Sequence, residues 1–309
     1  MNFLQLRYFL KVAELGSISA AAAAIWVSQP AVSRQIRLLE EALGTRLFER
    51  EARGVRLTEA GSSVHGRAQQ LLRELESIRA DIGRTVKSPK GRVVLGIPPS
   101  LRRLITVPML TRVAQTYPDV VVSVIEGTTQ RMHEAVGAGH SDISVVSSLD
   151  ANQAFSERPI VSEQLFLVGS SQARLRSRSE VSVRDLASLP LILTSWPNSL
   201  RRIVEGAARR TKRPFAPRFE AEQVPLLLDL VQAGLGYTVL PSCAVQEQLQ
   251  ARQLTASPIR ACWIDWVLVR SRERVPTAAS QAIMTLLEAT FVSAAGSGTW
   301  RTARLLPPA

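Results

Sequence analysis

Cysteine and histidine are scarce in this chain. Cys243 and Cys262 are the only two cysteines among 309 residues, and His65, His133 and His140 the only histidines. Two cysteines cannot build a disulfide framework and suit a reducing compartment. Scattered so widely, these five residues do not supply a zinc set, so no metal site is expected. Neither a GxSxG elbow nor a Walker loop occurs, which leaves no legible nucleophile and no phosphate-bound cofactor. No apolar run approaches the length of a membrane span. Met1–Leu10 lacks the basic, apolar, then small-residue layout of a signal peptide. The expectation is a soluble, cytoplasmic protein with no membrane partner, no cofactor and no catalytic residues.

What is present is ordinary in bulk: 46% hydrophobic and 21% charged residues, the mix of a globular protein long enough for two domains. Lys plus Arg number 38 against 26 Asp plus Glu, a formal net charge of +12 that is compatible with phosphate contacts. Residues 1–90 hold 14 basic and 9 acidic side chains, so the charge is spread along the chain rather than gathered in one basic segment. Charge alone therefore does not locate a nucleic-acid site.

Residues 28–50 read SQPAVSRQIRLLEEALGTRLFER. Ahead of them Ile18, Ala21, Ala22 and Ile25 recur at helical spacing, and Val32, Ile36, Leu39 and Leu43 form a second apolar stripe. Only Trp26 and Val27 separate the first helix from Ser28, a good N-cap, and Pro30 lies in the first turn, where a missing N–H is harmless. Helices joined so tightly predict a helix-turn-helix over about Ile18 to Arg37. Pro30, Arg34, Arg37 and Glu41 face away from the second stripe, with Gln29 and Ser33 on its flank. Arginine and small polar groups at the start of a recognition helix suit the donor and acceptor pattern of the major groove. Ser28, Gln29, Pro30, Ser33, Arg34 and Arg37 are thus candidate DNA contacts.

Leu47–Phe48, a turn at Ala52–Gly54 and Val55–Leu57 predict a hairpin wing carrying Arg50, Arg53 and Arg56, and Arg50 joins the candidates. Thr58 can cap the next helix. Along it Val64, Ala68, Leu71, Leu75, Ile78 and Ile82 step by 4, 3, 4, 3 and 4. This heptad seam suits pairing with a second copy, which a helix-turn-helix needs to read two half-sites. The plainer alternative is an amphipathic helix resting on its own domain. Ser88–Pro89–Lys90–Gly91 ends the helix and marks a boundary.

The match is closer than a generic helix-turn-helix. FLQLRYFLKVAELGSISAAA, SQPAVSRQIRLLEEALGTRLFER and RGVRLTEAG resemble, without a gap across residues 3–61, the N-terminal domain of LysR-type transcriptional regulators. Ala23, Ala24 and Trp26 depart from the family pattern, all off the base-reading face. The resemblance implies that Arg53 is the wing arginine set against the backbone or in the minor groove. It also implies an antiparallel dimer contact through the linker helix, and a two-lobed effector domain built like periplasmic binding proteins.

Beyond Arg92 short apolar runs alternate with helical stretches. Strands are predicted at Val93–Ile97, Val120–Ile125, Ile143–Val146, Leu165–Gly169, Leu191–Leu193, Tyr237–Leu240 and Trp263–Arg270. Helices are predicted over 101–116, 130–138, 199–212, 224–233, 242–251 and 278–291. Such alternation predicts βαβ units and mostly parallel sheets, in one large α/β domain or two small ones around a cleft. The resemblance selects the second, with chain crossings near Val161–Glu163 and Ala261–Val267. The expected organisation is an α/β chain with a winged helix-turn-helix at 1–58 and a linker dimerisation helix at 59–89. An effector domain follows at 90–295, with lobe I about 90–161 and 267–295 and lobe II about 162–266. A flexible tail is expected at 296–309.

In open α/β folds, ligands bind at the carboxyl ends of strands, where helix N-termini offer free N–H groups. Ser100, Thr128 and Thr129, Ser147 beside Ser148, and Ser195 and Asn198 all follow predicted strands. They also match by position the loops that line the family's inducer cleft. The plain alternative for each is a helix cap. Arg201 and Arg202 are candidates to meet an anion such as a carboxylate, with solvated surface charge as the plainer alternative. Gly234–Leu235–Gly236 reads as a helix C-cap followed by a close backbone approach. Cys243 and Cys262 read as buried free thiols.

The sequence therefore predicts a LysR-type regulator whose partners are double-stranded promoter DNA and a small-molecule effector, organic acids among the candidates. Its other partners are further copies of the chain, as homodimer or homotetramer, and RNA polymerase. Two rival readings are a cytoplasmic small-molecule-binding protein without direct DNA regulation, which residues 1–61 oppose, and an α/β enzyme, which lacks a legible reactive set.

Overall fold

A computed structural model of the chain describes residues 1–51, 54–81, 89–147, 154–176, 179–300 and 302–307. They divide into two units, Met1–Arg92 with Ala138–His140, and Val93–Gly137 with Ser141–Ala309.

In the first unit, α1 (Phe3–Leu15) opens on a capping box in which Asn2 and Gln5 exchange bonds of 2.9 and 2.8 Å, and closes on Gly16 at φ 61°. Then come α2 (Ile18–Ala24), capped by the Ser17 hydroxyl, and α3 (Gln29–Leu43), closed by Gly44 at φ 67°. The predicted stripes meet in one core of Leu6, Phe9, Val12, Ala21, Ala22, Val32, Ile36 and Leu39. Leu43 departs from its stripe and is 37% exposed, because α3 has by then passed the edge of that core. The wing pairs β1 (Phe48–Glu51) with β2 (Gly54–Leu57) in antiparallel register. Gly54 is required there: a Cβ would strike the Gly16 carbonyl, whose oxygen accepts from the Val55 N–H at 2.8 Å.

Helix α4 (Glu59–Asp81) begins where the Thr58 hydroxyl accepts from the Gly61 N–H at 2.9 Å. Its seam is divided. Val64 and Ala68 pack on the first unit's own core, as the plainer alternative would have it, while Leu71 is 41% exposed. Ile82 and Ser88, like the side chain of Ile78, lie outside the described residues. His65 is half-buried, edge-on to Phe9 at 6.3 Å, and burial lowers its pKa.

The second unit starts with β3 (Gly91–Ile97). The single helix predicted over 101–116 is instead a 3-10 turn at Pro99–Leu101, a π turn at Arg102–Thr106 and then α5 (Val107–Thr116). Pro108 has no N–H for the Leu104 carbonyl, and the turn before it widens. There follow β4 (Val120–Glu126), α6 (Thr129–Gly137), β5 (Ile143–Ser147), β6 (Phe155–Ser170), β7 (Ile192–Thr194), α7 (Ser199–Arg210), β8 (Phe219–Ala221), α8 (Val224–Gln232), β9 (Thr238–Pro241), α9 (Gln246–Gln250), β10 (Leu254–Ser271), α10 (Ala278–Gly296) and β11 (Ala303–Leu305).

The sheets are mixed, which corrects the expectation of mostly parallel pairing. One sheet runs β11-β6-β10-β5-β3-β4, with β9 also on β6. Pairings β3–β5 and β7–β8 are parallel, but β6–β10, β5–β10, β6–β9 and β6–β11 are antiparallel. The cause is two long strands, β6 and β10, each running through both lobes. The predicted crossings lie side by side, Glu163 opposite Ile264 and Val161 opposite Trp266. In lobe II, Gly234 takes φ 75° after α8, and a Cβ on Gly236 would strike the Pro190 carbonyl, the close approach read from the sequence.

Two expectations fail at the C-terminus. By length and composition α10 is apolar enough to cross a membrane, with a mean hydropathy of 1.2, so one run does reach span length. Ile283, Leu287 and Phe291 are fully buried in the core, where a central helix needs such a composition. The tail is not loose either. Trp300 is buried at 5.9 Å from the Phe291 ring, and β11 pairs with the otherwise open edge of β6. Residues 301 and 308–309 of that tail lie outside the described residues.

Candidate DNA-reading surface and ligand cleft

The buried stripe of α3 turns its opposite face outward. Ser28, Gln29, Pro30, Arg34 and Arg37 are exposed and Ser33 is half-buried. Ser28 is the N-cap by backbone alone: its carbonyl accepts from the Ala31 and Val32 N–H groups at 3.1 and 3.2 Å, and its hydroxyl makes no capping bond. That corrects the expected side-chain cap. It also leaves the Ser28 hydroxyl at the α3 N-terminus available to an anion.

Arg50 is exposed on β1 opposite Val55. Arg56 is engaged within the wing, with Glu49 at 2.7 Å and Glu51 at 2.8 Å. Arg53 lies outside the described residues. Glu40, which the sequence reading passed over, anchors the wing to α3: its Oε1 accepts from the Leu47 and Phe48 N–H groups at 2.7 and 3.2 Å. A glutamate on an amphipathic helix carries no sequence signal for such a role.

In the second unit a cavity of about 380 Å³ opens between the lobes. Ser100, Thr128, Thr129 and Ser147 line it from lobe I, and Thr194, Asn198 and Ser199 from lobe II, over a floor of Leu240, Ile264 and Trp266. Thr128 and Asn198 are caps as well as lining residues, accepting from the Arg131 N–H at 3.4 Å and the Leu200 N–H at 2.9 Å. Ser195 does not line the cavity. It shapes the turn before α7, where its carbonyl accepts from the Asn198 N–H at 3.1 Å. Ser148 lies outside the described residues.

Three hydroxyls meet across the cleft. Thr129 Oγ1 lies 2.8 Å from Ser147 Oγ and 3.3 Å from Ser199 Oγ, and Ser147 donates to Ser199 at 2.6 Å. The Ser147 N–H also donates to Thr129 Oγ1 at 3.1 Å. Ser199 closes the Ser195–Ser199 segment that follows β7, whereas Thr194 escaped the sequence reading, because neither its type nor its spacing sets it apart from other strand residues.

The N-termini of α6, α7 and α8 contribute Thr129, Ser199 and Val224 to the same wall, so their dipoles favour a negative group in the cavity. Arg102 is held by Glu126 through bonds of 2.9 and 2.5 Å, and that hydrogen bonding raises its pKa. Arg201 is no ligand cation. It is buried, paired with Glu205 and with Glu220 at 3.1 Å, and it donates to the Thr194 carbonyl at 3.3 Å.

Burial pushes the Cys243 thiol well above its ordinary pKa and Cys262 up to about 11, so neither is a thiolate near neutral pH. Both are buried free thiols. Glu163, fully buried at the crossing, accepts from Ser242 at 2.6 Å, the Cys243 N–H at 3.0 Å and Trp266 Nε1 at 3.2 Å. Among the described residues no group of three His, Cys, Asp or Glu side chains is placed to hold a metal ion.

Comparison with known proteins gives two family matches. Residues 3–62 match the bacterial regulatory helix-turn-helix protein, lysR family, and residues 87–292 the LysR substrate binding domain. HTH-type transcriptional regulator BbuR of Bordetella bronchiseptica is 32% identical over 270 residues, covering 87% of this chain and 83% of that protein. A full-length OxyR variant from Pseudomonas aeruginosa superposes with a TM-score of 0.76 at 20% identity, over 100% of this chain and 99% of that one. Full-length CbnR complexed with its target DNA superposes with a TM-score of 0.67 at 22% identity, over 96% of this chain and 100% of that one.

Proposed function

The chain belongs to the LysR family of bacterial transcriptional regulators, DNA-binding proteins with an effector-binding domain, and from that premise we propose a role for each part of it. Residues 1–58 read promoter DNA. Arg34, Arg37, Gln29 and Ser33 meet base edges in the major groove, Ser28 and Pro30 sit at the groove entrance, and Arg50 and Arg53 hold phosphates or the minor groove. Residues 59–89 pair two copies, through Leu71 and Leu75, into a homodimer or a tetramer of two such pairs. Residues 90–295 bind a small organic acid between their lobes, against Ser100, Thr128, Thr129, Ser147 and Asn198. Ligand binding then changes DNA bending or the contact with RNA polymerase. The protein works in the cytoplasm and catalyses no reaction.

One observation carries the DNA reading: the outward face of α3 offers two exposed arginines and an N-terminus without a side-chain cap, opposite the buried Val32, Ile36 and Leu39. The test is a footprint and a salt titration. Arg34→Ala is expected to lose about 1–3 kcal/mol at the specific site and little on random DNA. Arg50→Ala is expected to weaken all sequences alike and to flatten the salt slope by about one. A footprint with full sequence preference in Arg34→Ala overturns the assignment of that residue.

A further inference from the structure

One hydroxyl in the cleft finds no partner within the chain. Thr194, at the C-terminal end of β7, lines the cavity, is 4% exposed, and its Oγ1 has no hydrogen-bond partner. A buried hydroxyl without a partner destabilises a fold, so its retention needs a reason. The neighbouring hydroxyls Thr129, Ser147 and Ser199 satisfy one another. Thr194 is also held in place from behind, since the buried Arg201 donates to its carbonyl at 3.3 Å. It is a fixed group waiting for a partner.

The surroundings define that partner. Among the residues that line the cavity, Arg102 and Arg131 are matched by Glu126 and Glu222, so the side-chain charges cancel. The surplus positive potential comes from the helix N-termini, and Thr194 stands five residues before α7. Beside a positive helix end, a hydroxyl donates to an anionic oxygen rather than accepting. Leu240, Ile264 and Trp266 offer an apolar floor to the rest of the molecule. We propose that Thr194 is the lobe II anchor for the ligand, donating its hydroxyl to the single carboxylate of a small organic acid whose apolar body lies over Ile264 and Trp266. This rests on the reading of the cleft as the site of an organic acid and adds to it the anchor residue.

The test uses the full-length protein with acetate, isobutyrate and cyclohexanecarboxylate as probes, and cyclohexanecarboxamide as the neutral control, by titration calorimetry and thermal melting. The acids are expected to bind, cyclohexanecarboxylate best, and the amide at least ten-fold more weakly. Thr194→Val is expected to melt higher without ligand, by about 2–4 °C, because an orphan polar group has gone. It is also expected to weaken the acid by about ten- to a hundred-fold, while Thr194→Ser keeps both properties of the wild type. If Thr128→Val weakens the acid and Thr194→Val does not, the cleft stands and Thr194 is not the anchor. A ligand-free Thr194→Val protein that melts lower than wild type shows a hydroxyl already satisfied by water, and the proposal fails. If no acid binds the wild type, the organic-acid reading of the cleft falls together with it.

Discussion

On α3 the polar side chains that matter stand apart from one another, with Gln29, Arg34 and Arg37 exposed on the face away from the buried Val32, Ile36 and Leu39. In the cleft they hold one another, with Thr129, Ser147 and Ser199 joined by contacts of 2.6 to 3.3 Å. The two regions meet different ligands. A polyanion is long and already solvated, so reading it needs cations and donors left uncommitted on a rigid helix. A small molecule must displace what fills its pocket, so each hydroxyl it uses is first released from a neighbour, or was left unsatisfied from the start, as at Thr194. Uncommitted surface groups cost the fold almost nothing; uncommitted buried ones cost it stability.

The contrast makes its strongest prediction at Arg201, a cation beside the cleft that belongs to the fold. Arg201→Met leaves Glu205 and Glu220 without their buried partner, and is expected to cost about 2–4 kcal/mol, somewhat below a fully buried pair because both glutamates touch solvent. A lowered calorimetric transition for the effector unit checks it. An unchanged melt with weakened acid binding would make Arg201 a ligand group after all. Next comes Leu71, the exposed part of the α4 seam. Leu71→Glu is expected to give a smaller species by sedimentation and to lose specific DNA binding, at a cost of about 2 kcal/mol in pairing. A fully dimeric variant would place the contact elsewhere. The smallest effect is expected at Ser147, where Ser147→Ala removes the middle of the hydroxyl triad. About 1 kcal/mol of stability should go, and the acid concentration needed for half-response should shift as the lobes lose one link.

The local elements were largely legible in the sequence. The stripes of α2 and α3, the Thr58 cap, the wing and most strand positions follow from spacing, since periodicity is set by neighbours within one or two turns. Most candidate ligand residues were legible for the same reason: Ser100, Thr128 and Asn198 sit where strands end and helices begin. What failed was non-local. The antiparallel pairing of β6 with β10 joins segments about a hundred residues apart, and the two strands alternate like any others in isolation. Arg201 looked like a free cation until Glu220 was brought to it from β8, and Ser195 looked like its neighbours until the folded turn left it off the cavity wall. The tail looked loose because Gly and Pro are frequent there, yet β6 offered an open edge and Phe291 a surface for Trp300.

The sequence by itself determined the helix-turn-helix, its outward arginines and the α/β alternation, because each is a repeat or a cap written within a few residues. Only the tertiary structure decided which hydroxyls bond across the cleft, which one is left over, and which charges are spent on the fold. Those depend on groups from distant segments competing for the same partners, and a partner's distance in space leaves no trace in the spacing of residues along the chain.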